Sequence, residues 1–99
     1  MSARLILREP GRYRLEGAIH FGVPLPDDLQ SPGIVPAGGS ASVALGGLEQ
    51  ADSVVLALLI EWQRQARAQG FRLTLAEIPE RMAALIHVTG VGPIFADGP

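Results

Sequence analysis

The chain has 99 residues, enough for one domain with a single modest core. Apolar residues make up 47% of it, which excludes a disordered chain, and a formal net charge of −2 without a basic run excludes the electrostatic footprint of a nucleic-acid binder. There is no cysteine, so a disulfide framework and a thiolate metal site are both excluded.

One domain over residues 1–99 is therefore expected. The opening residues Met1 to Arg8 hold no apolar stretch long enough for a signal peptide. The longest apolar run, Val54 to Ile60, is far too short to span a bilayer. A soluble, unexported chain is the expectation.

Arg4 to Arg8 is a short apolar run closed by the turn pair Pro10-Gly11, and it predicts a first strand. Tyr13, Leu15, Gly17, Ile19 and Phe21 then alternate with Arg12, Arg14, Glu16, Ala18 and His20. Period two predicts a half-buried second strand, antiparallel to the first. Arg4, Arg8, Arg12 and Arg14 are the one local excess of positive charge. With Glu9 and Glu16 among them, they read as solvated strand faces.

From Gly22 to Ser40 prolines and glycines exclude a long helix, because an interior proline costs about 3 kcal/mol. Only Asp27 to Gln30 suits a short helical turn. Ser42 to Leu48 is small, apolar and uncharged, which predicts a central strand covered on both faces.

Asp52-Ser53 leads into the apolar run Val54 to Ile60, and the pattern turns amphipathic as far as Gln69 before Gly70. Asp and Ser are both favoured N-caps, and Gly is favoured just past a helix end. A helix from about 53 to 69 follows. Val55, Leu58, Leu59, Trp62 and Ala66 form its sheet-facing stripe at i, i+3, i+4 spacing. Val54, Leu56, Ala57 and Ile60 point elsewhere, and a domain this small has difficulty burying both sets. They are read as an apolar patch that a partner covers, with core packing as the competing reading.

Phe71, Leu73 and Leu75 alternate with Arg72, Thr74 and Ala76, predicting another strand. Pro79 fits the first turn of a second long helix whose apolar side is Met82, Leu85 and Ile86, ended by Gly90. Val91 to Phe95 suits a short edge strand, since Pro93 is tolerated at an edge. The order β-β-(short α)-β-α-β-α-(β) predicts a small mixed sheet of four or five strands with its helices packed on it.

Chemistry-bearing residues are sparse. His20 and His87 lie on separate elements without acids at ligand spacing, so no metal site and no cofactor are expected. Asp27-Asp28 reads as a pair of helix-start charges. Ser42, Ser53 and the histidines form no recognisable triad, and neither a nucleophile elbow nor a phosphate loop is present. A non-enzymatic protein is expected.

The stretch Val43 to Leu59, with Asp52-Ser53 at the joint, resembles the hallmark of STAS domains, in which a strand leads through an acid and a hydroxyl residue into a long helix. The similarity continues through Glu61-Trp62-Gln63-Arg64 to Gly70, Leu73-Thr74-Leu75 and Ile78 to Leu85. Upstream it takes in Leu15-Glu16-Gly17 and Phe21 to Pro24, so it covers roughly residues 12–95. Three features depart from the pattern. Val54-Val55 stands where the family has a small pair, Ala44 replaces the usual acid of the preceding strand, and prolines break the helix expected between Val23 and Ala41.

Within that family the chain looks most like the MlaB-type subunits of phospholipid-transport ABC complexes that maintain outer-membrane lipid asymmetry. The resemblance implies a STAS fold and a regulatory adaptor that binds the ATPase subunit and supports its assembly and activity. Such a protein is cytoplasmic and peripheral to the inner membrane through the complex. The partner contacts it implies, joined to the apolar patch, are Asp52, Ser53, Val54, Leu56, Ala57 and Ile60. The alternative is an anti-sigma-factor antagonist, in which a serine kinase phosphorylates Ser53 and so switches binding. An apolar patch and an edge strand also allow a homodimer in isolation. A third class, a lipid or nucleotide carrier, requires a pocket.

Overall fold

The computed structural model describes residues 3–19, 27–49 and 52–95. Four strands and four helices follow in the order β1 (Arg4–Glu9), β2 (Arg12–Gly17), α1 (Asp27–Gln30), β3 (Ser40–Leu48), α2 (Ser53–Ala68), β4 (Arg72–Ala76), α3 (Glu80–Thr89) and α4 (Gly92–Phe95). The strands form one sheet in sequence order. β1 is antiparallel to β2, and β2, β3 and β4 run parallel. The β3-α2-β4 unit delivers the parallel pair that its alternation of elements predicts.

β1 and β2 turn at Pro10-Gly11. Gly11 has φ +76, and a Cβ there would lie 2.8 Å from the Cβ of Ala37, so only glycine fits the turn. In β2 the alternation holds as far as Gly17, whose φ of +91 swings the chain. Ala18 and Ile19 are then both buried, and Ala18 does not share the open face of Arg12, Arg14 and Glu16. His20 and Phe21 lie outside the described residues.

β3 is central but not covered on both faces. Ala41, Val43 and Leu45 are buried, whereas Ser42 and Ala44 are half-buried and Gly46 is exposed. The small side chains on this strand belong to an open sheet face rather than to a second packed layer. The expected edge strand at Val91 to Phe95 is instead the short helix α4. Pro93 takes its second position, in the first turn, where a missing N–H costs nothing.

Leu15, Val43, Leu45 and Leu73 from the sheet meet Val55, Leu59 and Trp62 of α2, Leu29 of α1 and Met82 of α3 in one core. The Trp62 indole N–H donates to the carbonyl of Leu29 at 2.6 Å, and the Gln65 amide donates to that of Gln30 at 2.8 Å. These two bonds hold the short helix against α2. The proline-rich stretch after it is tied to the sheet by the Val35 N–H, which donates to the Tyr13 hydroxyl at 3.0 Å.

Gln63 is the one buried polar residue among those described. Its amide donates to the carbonyls of Leu73 and Ile94, both at 2.8 Å, and its Oε1 accepts from the Leu73 N–H at 3.0 Å. All its hydrogen-bonding capacity toward β4 is used, which is what allows an uncharged amide to sit in a core.

Candidate partner-docking site at the head of α2

The joint before α2 resolves into two distinct roles. Asp52 is the N-cap, with φ −137 and ψ −176, and its Oδ1 accepts from the N–H groups of Val54 and Val55 at 3.1 and 3.2 Å. This satisfies two of the donors that a helix start leaves open. Ser53 is not the cap. It is the first helical residue, it is exposed, and no described residue hydrogen-bonds its hydroxyl. Of the two favoured cap residues in the sequence, the carboxylate takes the backbone and the hydroxyl is left to solvent.

At its other end α2 closes with Gln69 as C-cap and Gly70 in the left-handed conformation at φ +86. The Phe71 N–H donates to Ala66 and the Gly70 N–H to Arg67, the paired bonds of a Schellman motif. Both ends of the helix are therefore fixed, and its first turn has a definite place on the surface.

The predicted sheet-facing stripe of Val55, Leu58, Leu59, Trp62 and Ala66 is buried throughout. The second apolar set fares differently from its expectation as an open patch. Leu56 is only 4% exposed and belongs to the core, and Val54 and Ile60 are half-buried against it. Only Ala57 is exposed. The domain buries both sets because α2 touches the sheet on one side and α1, α3 and α4 on others. Asp52 is half-buried at the rim.

The exposed apolar surface near Ser53 comes largely from α3. Asp52 and Ser53 border a shallow depression of about 430 Å³ with Arg81, Ala84, Leu85 and Val88. Positions 81, 84, 85 and 88 stand at i, i+3, i+4, i+7 spacing and so form one helix face. Val88 is 79% exposed, the most open large apolar side chain among the described residues. The same spacing was available in the sequence. The apolar side assigned to this helix from sequence, Met82, Leu85 and Ile86, is its core side: Met82 is fully buried, and Leu85 and Ile86 are half-buried.

Farther along α2, Glu61 and Arg64 form an exposed ion pair, with the Arg64 Nε donating to Glu61 at 2.8 Å. Hydrogen bonds from Arg64 and then Gln65 hold the Glu61 carboxyl down at about 2. His87 is exposed on α3, and His20 lies outside the described residues. Among the described residues no group of three or more His, Cys, Asp or Glu side chains converges to hold a metal. No helix among them is long and apolar enough to cross a membrane.

Residues 29–95 match the family described as Mlab, STAS domain (STAS_2). The chain belongs to the MlaB-type STAS family. The match takes in β3, the Asp52-Ser53 joint, α2, β4, α3 and α4 of this STAS domain, and it begins at Leu29, after β1 and β2. No curated protein matches the chain. The STAS domain thus carries a hydroxyl at the head of its long helix, beside an apolar groove floored by the following helix.

Proposed function

We propose that this STAS domain is a non-enzymatic adaptor that docks onto the ATPase subunit of a lipid-transport ABC complex of Mla type. The docking surface is the groove bordered by Asp52 and Ser53 and lined by Arg81, Ala84, Leu85 and Val88. Binding there favours one assembly state of the ATPase by differential affinity, and so supports its assembly and activity. The adaptor acts on the cytoplasmic side of the inner membrane and reaches the membrane only through the complex. The reading is supported by membership of the MlaB-type family together with one observation: Val88 stands 79% exposed in an apolar groove next to a hydroxyl that the helix cap does not use. Affinity capture of the tagged chain from its native host should recover an ABC ATPase, and recovery of none under native expression contradicts the reading.

The exposed Ser53 hydroxyl supports a second reading, an anti-sigma-factor antagonist switched by a serine kinase. A phosphate on Ser53 would add close to two negative charges beside Asp52 at the groove rim. Intact-mass analysis of the native protein separates the two: stoichiometric phosphate on Ser53 favours the switch, and its absence across growth conditions favours the adaptor.

A further inference from the structure

The two edges of the sheet are treated differently. At the β4 edge, the buried Gln63 side chain pairs with both the N–H and the carbonyl of Leu73, much as a neighbouring strand would, and α4 packs beside it. At the β1 edge no described residue pairs with the outer side of the strand. An unpaired edge is a template for another extended chain.

The side chains of β1 state what such a chain must carry. Leu5 and Leu7 share the face of Tyr13 and Leu15, their register partners on β2. Leu7 is nevertheless 60% exposed, the one large apolar side chain of a strand left so open among the described residues. On the opposite face stand Arg4, Ile6 and Arg8: Arg4 is the register partner of Glu16 and Ile6 of Arg14, and Arg8 sits at the register shift between Leu7 and Glu9, where Glu9 pairs with Arg12. Arg14 is engaged by Glu16 at 2.9 Å and Glu77 at 3.2 Å, and Arg12 by Glu9 at 3.7 Å. Arg4 and Arg8 have no ion-pair partner among the described residues.

We propose that the open edge of β1 receives an extended acidic segment of a partner protein as a fifth, antiparallel strand. The segment carries an acid at each end of three residues, so that the acids face Arg4 and Arg8 and the first and third residues between them cover Leu5 and Leu7. Opposite charges directly across a strand pair stabilise it, and like charges oppose it. A second copy of this chain fits poorly, because antiparallel pairing of two β1 strands about Ile6 sets Arg4 against Arg8 twice. The arginines that repel a second copy are the ones that select an acidic strand.

The test uses the full chain labelled with ¹⁵N and a synthetic heptapeptide holding Val-Thr-Val between two glutamates. A control peptide has lysines in place of the glutamates. The acidic peptide should shift the amide resonances of residues 4–9 and slow their hydrogen exchange, and the basic peptide should not. The double variant R4E/R8E, checked as folded by its spectrum, should bind the acidic peptide about tenfold more weakly and gain affinity for the basic one. Equal binding of the two peptides, shifts confined to α2 and α3, no shift at all, or concentration-dependent protection of β1 without peptide would each overturn the proposal. The groove reading is independent of this result, since no groove residue lies on β1.

Discussion

Asp52 and Ser53 are adjacent, both suited to cap a helix, and only one does so. The bonds from Val54 and Val55 to Asp52 make the cap a measurable part of stability. Asp52→Ala should destabilise the fold by about 1 kcal/mol, and Ser53→Ala should stay within about 0.5 kcal/mol of the parent. Urea unfolding followed by the fluorescence of Trp62, the single tryptophan, measures both. Gln63 carries a larger share. Gln63→Leu leaves the N–H and carbonyl of Leu73 and the carbonyl of Ile94 without their buried partner. It should cost about 1–3 kcal/mol in the same assay. Glu61 gives the pH dependence. Its folded carboxyl titrates at about 2 rather than at the ordinary 4.5, because Arg64 and then Gln65 bond the ionised form. The contribution is complete above the ordinary value and lost as the pH falls from there through about 2. The group is on the surface, so the effect is small, and Glu61→Gln should flatten the fall of the urea midpoint between about pH 4.5 and about pH 2.

At the scale of elements, much was legible. Apolar spacing located α2, and its five-residue stripe is buried as that spacing requires. The antiparallel β1-β2 pair, the turn of helix at Asp27 to Gln30 and the parallel β3-α2-β4 unit followed from period, turn residues and order. Besides the open face of β3, two expectations differ from the structure for identifiable reasons. Val91 to Phe95 is too short for period to separate helix from strand, and Pro93 suits the first turn of a helix as well as an edge strand. Leu56 reads from sequence as part of an outward patch, because one packing face cannot bury a helix that is apolar all round, yet it is 4% exposed. Three other helices close around α2, which periodicity within one element cannot reveal. Conversely, the open face of α3 was visible as Arg81, Ala84, Leu85 and Val88 at helical spacing. Met82 and Ile86 satisfy a competing stripe on the same helix, and only packing decides which of two apolar faces turns inward.

At the scale of the whole molecule, the helices cover one face of a four-stranded sheet, and the site lies where the second and third of them meet. That arrangement explains why the candidate surface combines residues far apart in sequence, with Ser53 at its rim and Val88 across the groove. It also makes the central claim separable from folding, because Val88 is on the surface and contributes little to the core. The direct measurement is co-purification of the ABC ATPase from the native host with three tagged forms: the parent chain, Val88→Asp, and Val35→Asp at an exposed valine outside both the groove and β1, each verified as folded by unfolding midpoint. Docking through the groove predicts that the parent and Val35→Asp retain the ATPase while Val88→Asp loses most of it. Undiminished recovery with Val88→Asp, or no ATPase with the parent, would contradict the account.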